Sequence, residues 1–238
     1  MIHLTIDDKS IEATAGRTLL EACRENGIQI PTLCYHPALE PYGACRLCVV
    51  EIYKEEQSSR LVAACAYPCE EGLNVKTNSK AVQRNRRVVA ELLLASGYDT
   101  PEIVALASEF GVKEARYKMP QADSCIICGL CVRACKEIVG ISAISLINRG
   151  INKKVSPPFE ETSPTCIGCG TCVLICPTGY IKLRDVFGSH SIYRYSSDYD
   201  RAQCRICSDL NMSSKFNQLI EGVTSDAASY GISGDQNG

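Results

Sequence analysis

The apolar positions of this chain change period along its length. Ile2, Leu4 and Ile6 alternate with His3, Thr5 and Asp7, the pattern of a strand with one buried face. Asp7, Asp8, Lys9 and Ser10 supply turn residues, and Ile11 begins a second short strand. The period then lengthens. Leu19, Ala22 and Cys23 fall on one helical face, Thr18 and Glu21 fit a capping box, and Gly27 suits the helix end. Runs over 47–53, 60–64 and 73–77 predict three further strands. Two strands, a helix and more strands predict a β-grasp unit over residues 1–78.

Residues 79–120 differ. Val82, Val89, Leu92 and Leu93 predict one apolar helix face. Pro101 opens a second helix at its first position, and Gly111 closes it. Residues 121–190 are dense in cysteine. Residues 191–238 are polar, and from 224 onward Ser, Asp and Gly predict a mobile end. The predicted class is α+β.

Composition narrows the function classes. Hydrophobic residues make up 45% and charged residues 22%, as in a folded globular chain, and a formal net charge of −2 leaves no footprint for nucleic acid. Lys80, Arg84, Arg86 and Arg87 read as a solvated helix face rather than a DNA-binding stripe. No apolar run is long enough for a membrane span, and the start MIHLTIDDKS lacks a secretory pattern. Sixteen cysteines without an export signal predict a reducing cytoplasm, where thiols bind metal rather than pair.

The sharpest signal is a repeated motif. Cys125, Cys128, Cys131 and Cys135 have the spacing C-x2-C-x2-C-x3-C, and Cys166, Cys169, Cys172 and Cys176 repeat it, with Pro177 following. A short loop wraps three thiolates round one cubane, and the fourth reaches the neighbouring one. The spacing therefore assigns Cys125, Cys128, Cys131 and Cys176 to one [4Fe–4S] cluster. Cys166, Cys169, Cys172 and Cys135 hold the other. Gly129, Gly168 and Gly170 are expected to let backbone amides approach the sulfides. Structural zinc, the competing use of paired C-x2-C, needs only four ligands and leaves half of these cysteines unexplained. Lys136 stands where the second motif has proline, and reads as a solvated lysine.

Cys34, Cys45, Cys48 and Cys65 form C-x10-C-x2-C-x16-C, a plant-type [2Fe–2S] pattern with a longer first gap. Gly43 and Ala44 are small, as expected where a loop packs on a cluster. Arg46 is either a donor to sulfur or a surface arginine. His36 reads as a turn residue before Pro37; a Rieske site would need two histidines, and the chain has only His3, His36 and His190. Cys23 reads as a core residue. Cys69 reads as a buried thiol, with replacement of Cys65 as fourth ligand left open. Cys204 and Cys207, at C-x2-C spacing in the polar tail, are two ligands of four; a shared metal site completed by a partner competes with two reduced thiols there.

The segments IPTLCYH (30–36), GACRLCVVE (43–51) and LVAACAYP (61–68), followed by the two cubane motifs, resemble one family. It comprises the N-terminal region of the large peripheral-arm subunit of respiratory complex I, the small iron–sulfur (diaphorase-type) subunit of NAD-reducing hydrogenases, and the electron-entry region of [FeFe] hydrogenases. The resemblance covers about residues 1–190. It implies a [2Fe–2S] ferredoxin domain at 1–78, a helical linker at 79–120, a two-[4Fe–4S] bacterial-ferredoxin-like domain at 121–190 and a tail at 191–238. It further implies docking beside a flavin-bearing, NAD(H)-binding subunit and relay of single electrons to or from a second redox catalytic subunit. Family members usually place a His-x3-Cys-x2-Cys-x5-Cys cluster after the first region. Here the matching stretch, ASGYDTP (95–101), has no ligand, so that cluster is not expected.

Two other classes compete. A self-contained iron–sulfur enzyme would need a nucleotide loop, a nucleophile–base pair or an open cluster site, none of which is visible. A cluster-based redox sensor would need a basic stripe or a DNA-binding helix pair. The favoured expectation is a non-catalytic electron-transfer subunit. Each oxidised all-thiolate cluster adds about −2, so three take the chain to about −8, and a basic partner surface is expected.

Overall fold

The structure is a computed structural model that describes residues 1–54, 58–97, 100–117, 119, 124–160 and 165–181, with the backbone of four strands between 183 and 213. Contacts divide the chain into two compact units: Met1–Leu130 with Pro177–Tyr180, and Cys131–Cys176 with Ile181–Gly238.

The first unit begins with the alternating strand β1 (Ile2–Ile6), paired antiparallel with β2 (Lys9–Ala13). Asp7 and Asp8 both take positive φ, 47° and 67°, the turn geometry that matches strand twist in a tight hairpin. Helix α1 (Leu19–Glu25) carries the full capping box between Thr18 and Glu21. It ends as predicted: Ile28 N–H donates to Cys23 O and Gly27 N–H to Arg24 O, with Gly27 left-handed. Strands β3 (Val49–Tyr53), β4 (Arg60–Ala63) and β5 (Asn74–Lys76) complete a mixed sheet in the order β2-β1-β5-β3-β4, with β1 and β5 parallel. Leu19, Leu20, Ala22 and Cys23 of α1 pack with Leu4, Ile6, Val50, Ile52 and Val75 in one core.

The strand predicted over 47–53 starts two residues late, at Val49. Leu47 and Cys48 instead end the loop that carries the cysteines. Ala64 N–H donates to Cys48 O at 3.2 Å, tying that loop to the turn that carries Cys65. Leu19 N–H and Leu20 N–H of α1 donate to Tyr67 O and Ala64 O at 2.9 and 3.0 Å, fixing the turn after Cys65. These donors would otherwise be orphaned at the helix start.

Helix α2 (Lys80–Ser96) is capped by Ser79, whose Oγ accepts from Val82 N–H, and α3 (Pro101–Glu109) starts with proline at its first turn. The buried stripe of α2 is Val82, Arg86, Ala90 and Leu94, with Glu91 and Ala95 beside it. Leu92, predicted on the apolar face, is exposed. Ala90 and Leu94 pack with Ile103, Ala107 and Val112 in a second core, against which Leu33 and Ile126 also pack. Of residues 95–101, where the resemblance would place a further cluster, the structure describes 95–97 and 100–101, the end of α2 and the start of α3.

The second unit contains the end of a short helix, α4 (Leu130–Arg133), then a π-helical turn at Ala134–Ile138, the pair β6 (Ser145–Ile147) and β7 (Lys154–Ser156), and helix α5 (Thr171–Leu174). Strands β8 (Leu183–Val186), β9 (Ser189–Ile192), β10 (Asp198–Gln203) and β11 (Asn211–Ser213) form an antiparallel sheet. No helix among the described residues is long and apolar enough to cross a membrane.

Candidate iron–sulfur sites

Four thiols converge in the first unit. Cys34 comes from the loop after α1, Cys45 and Cys48 from the loop before β3, and Cys65 from the turn after β4. They meet as two pairs. Cys34 and Cys45 share a hydrogen bond between side chains, as do Cys48 and Cys65, and Cys65 lies in the field of the other three. Cys34, Cys48 and Cys65 are each only 1% exposed, so a group held there is shielded from water.

Within each pair the two thiols shift in opposite directions. The hydrogen bond from Cys34 brings Cys45 down to about 5, helped by backbone hydrogen bonds from Leu47, Leu33 and Cys34. Cys34 is pushed up by the same bond and by burial. Cys48 is lowered to about 7 by its bond with Cys65, which rises in turn. Cys45 N–H also donates to Cys34 Sγ at 3.3 Å. Among the described residues no three His, Cys, Asp or Glu side chains close on a single metal ion. Two pairs of thiols instead fit a two-iron group, with one pair to each iron.

Cys65, not Cys69, is the fourth thiol of this group. Cys69 faces Glu21 and Glu25 and packs in the α1 core near Cys23, as a small buried residue does. His36 Nδ1 accepts from Ala38 N–H at 3.2 Å, a turn contact. Arg46 is exposed and left-handed, the surface reading of that residue. Gly43 has a φ of +67°, and among protein atoms a Cβ there would meet only Ala63 Cβ, at 3.8 Å.

A second group of four lies wholly in the second unit. Cys135 on the π-helical turn shares its field with Cys166 and Cys169, and Cys172 on α5 with Cys169, Cys166 and Cys135. All four line one small apolar cavity with Val139, Ile141, Ala143 and Ile144. Burial and the neighbouring thiols push Cys172 up to about 12. Cys135 is also raised by burial, opposed by backbone hydrogen bonds from Ala143 and Ile144; the Ala143 N–H to Sγ distance is 3.3 Å. An all-sulfur donor set around an apolar hollow suits a thiolate-ligated cluster. Cys169 Sγ and Thr171 Oγ1 are a further 3.3 Å pair.

Of the remaining motif cysteines, Cys125 and Cys128 belong to the first unit and Cys131 and Cys176 to the second. The two cysteine loops share a backbone signature. Ile127 and Gly129 have φ of 53° and 74°, and Gly168 and Gly170 at the matching places have 66° and 75°. Among protein atoms a Cβ at Gly170 would meet nothing within 4 Å, and its φ of +75° is itself a conformation that favours glycine. Cys204 and Cys207 lie outside the described residues.

Comparison with known proteins supports an iron–sulfur domain at the N-terminus. Residues 1–80 match the family described as a 2Fe-2S iron-sulfur cluster binding domain. The chain is 35% identical over 205 residues to a subunit of the NADH-quinone oxidoreductase of Rhizobium meliloti, covering 75% of this chain and 24% of that protein. It is 35% identical over 213 residues to the HndD subunit of the NADP-reducing hydrogenase of Solidesulfovibrio fructosivorans, covering 75% and 35%. A crystal structure of an NAD+-reducing [NiFe]-hydrogenase in the H2-reduced state contains a chain with 32% identity and a TM-score of 0.58, covering 66% of this chain and 75% of that one. The chain belongs to this family of iron–sulfur subunits. It spans about a quarter to a third of the length of the curated relatives it matches.

Membership gives the N-terminal thiols their context, but one residue near them departs from the sequence reading. Arg86, which charge density places on a solvated face, is only 6% exposed. Its Nε and Nη2 donate to Leu47 O and Val49 O, each at 3.1 Å. The signal was present: Arg86 continues the i, i+4 stripe of Val82, Ala90 and Leu94.

Proposed function

We propose that the chain is an electron-transfer subunit without a catalytic centre of its own. It passes single electrons between a flavin- and NAD(H)-binding partner and a second catalytic subunit of a multi-subunit oxidoreductase. In this reading a β-grasp ferredoxin domain holds one [2Fe–2S] cluster on Cys34, Cys45, Cys48 and Cys65. A two-cubane region holds one [4Fe–4S] cluster on Cys135, Cys166, Cys169 and Cys172. A second rests on Cys125, Cys128, Cys131 and Cys176, for which the support is motif spacing and the shared loop backbone. When bound, such clusters take up and release one electron at a time, which suits them to follow a flavin.

The observation that carries the proposal is the convergence of four thiols as two pairs in the N-terminal loops. The chain's residues supply the setting. Cys34, Cys48 and Cys65 exclude water by burial, backbone N–H groups of the 33–47 loops aim at sulfur, and Val139, Ile141 and Ile144 make the second hollow apolar. N–H donors to sulfur and low solvent access are the protein's means of setting cluster potential. The relatives named above are NAD(P)-linked oxidoreductase subunits, which supports the choice of partners.

Anaerobically purified full-length chain should carry about ten iron atoms and as many sulfides, with a [2Fe–2S] and [4Fe–4S] EPR signals after dithionite. Alone it should not oxidise NADH. A stable chain with one or two zinc atoms and no sulfide would falsify the proposal, and NADH turnover by the isolated chain would replace it with an enzyme.

A further inference from the structure

Arg86 is a buried cation with no carboxylate paired to it among the described residues. It sits in the middle of α2, 6% exposed, between the fully buried Leu47 and Val49. Asp7 and Glu109 act on it only through their fields. Burial pulls its pKa down and the Cys48 thiolate opposes that pull, yet a guanidinium starts so high that it stays charged. Two carbonyls satisfy part of its hydrogen-bonding capacity but do not neutralise it. Burying a charge without its counter-ion is strongly unfavourable. Such a residue persists where a counter-charge is supplied by something else.

The geometry indicates the source. The two carbonyls that Arg86 grips belong to the residues on either side of Cys48. The fork therefore fixes the backbone that aims Cys48 and places a positive charge next to the four-thiol group. An oxidised [2Fe–2S] group on four thiolates carries a net charge of about −2 and a reduced one about −3. The extra electron is held more tightly when a fixed cation is near, because the reduced form gains more from it.

We propose that Arg86 is the built-in counter-charge of the Cys34, Cys45, Cys48 and Cys65 site, positioning Cys48 and holding the potential of the group there above the value its thiolates alone would give. The inference rests on the proposed [2Fe–2S] site. Arg86 comes from α2, beyond the last strand of the ferredoxin sheet, so the helical segment sets the electronic character of the N-terminal site.

The test is an EPR-monitored redox titration of full-length holoprotein. Wild type is first assayed for iron, sulfide and the [2Fe–2S] signal; their absence sinks the site reading and not the role of Arg86 alone. With the cluster present, Arg86→Gln should weaken retention of the electron at least tenfold, a fall of 59 mV for a one-electron couple. Arg86→Lys, which keeps the charge and loses the fork, should fall by less. Full cluster content with an unchanged potential in Arg86→Gln overturns the inference. If Arg86→Gln does not assemble, Arg86→Lys decides: a potential near wild type supports the counter-charge, and a fall of tenfold or more overturns it. Should neither assemble, pulsed EPR of reduced Arg46→Lys chain labelled with 15N-arginine is read. A weakly coupled arginine nitrogen supports Arg86 beside the group, and its absence overturns it.

Discussion

Residues in the cysteine loops are chosen by backbone conformation before chemistry. Gly170 has no protein atom within 4 Å of where a Cβ would go, and its φ is +75°. Gly170→Ala should therefore cost at least the left-handed penalty, about 1–2 kcal/mol. Thermal denaturation of the anaerobic holoprotein measures it, and an unchanged midpoint would show that the loop does not need this conformation. Ile127, a β-branched residue, already bears that penalty in the first loop. Strain of this kind gathers at functional sites. At this scale the sequence was readable where one residue carries its own signal. Thr18 and Glu21 announced a cap, and Cys23 a core position. Arg86 was missed because the carbonyls that accept its hydrogen bonds are 37 and 39 residues away in sequence. Local charge density, which groups it with Lys80, Arg84 and Arg87, does not report such partners.

Elements show where pattern stops and packing begins. The strands and helices of the first unit were legible because period, caps and turn residues agree. Both the start of α3 at Pro101 and its close at Gly111 were predicted, and the close is a pair of bonds, from Gly111 N–H to Ser108 O and Val112 N–H to Ala107 O. The buried face of α2 was not fully legible, since Leu92 faces solvent while Glu91 is 5% exposed. Glu91 is there because Arg116, beyond α3, donates its backbone N–H, Nε and Nη2 to the carboxylate at 2.9, 2.6 and 2.7 Å. Those bonds from Arg116 hold Glu91 down to about 2, far below the usual carboxylate value. A lowered pKa stabilises the fold above pH 4.5 and gives that stability up as pH falls toward 2. Glu91→Gln should thus lower the denaturation midpoint of the full chain at pH 7, and the gap to wild type should narrow as pH is taken below about 4. A gap of constant size would mean that packing, not charge, accounts for the loss.

At the scale of the whole molecule, the doubled motif gave the assignment that geometry best supports in the second unit: Cys135 stands with Cys166, Cys169 and Cys172 although thirty or so residues separate them. Spacing made this readable because a fourth cysteine on a following turn points away from its own loop. Cys135→Ser should remove one [4Fe–4S] signal and leave the [2Fe–2S] signal intact, as read by EPR with iron analysis. Loss of the [2Fe–2S] signal alone would break the assignment. What the motif did not carry was the second core, where Ala90, Leu94, Ile103, Ala107 and Val112 gather apolar neighbours from both Leu33 and Ile126. No single window of sequence holds those residues.

The pairing of thiols in the first unit has a consequence for the chain before iron arrives. Cys45, its pKa lowered to about 5, lies in hydrogen-bond contact with Cys34, whose pKa is raised. A thiolate attacks peroxide and expels hydroxide, and the sulfenic acid so formed condenses with an adjacent thiol, releasing water and closing a disulfide. The nearness that readies the pair for iron also readies it for oxidation. Order of events then matters: a chain loaded first has its sulfurs occupied, and one exposed to oxidant first must be reduced before it can be filled.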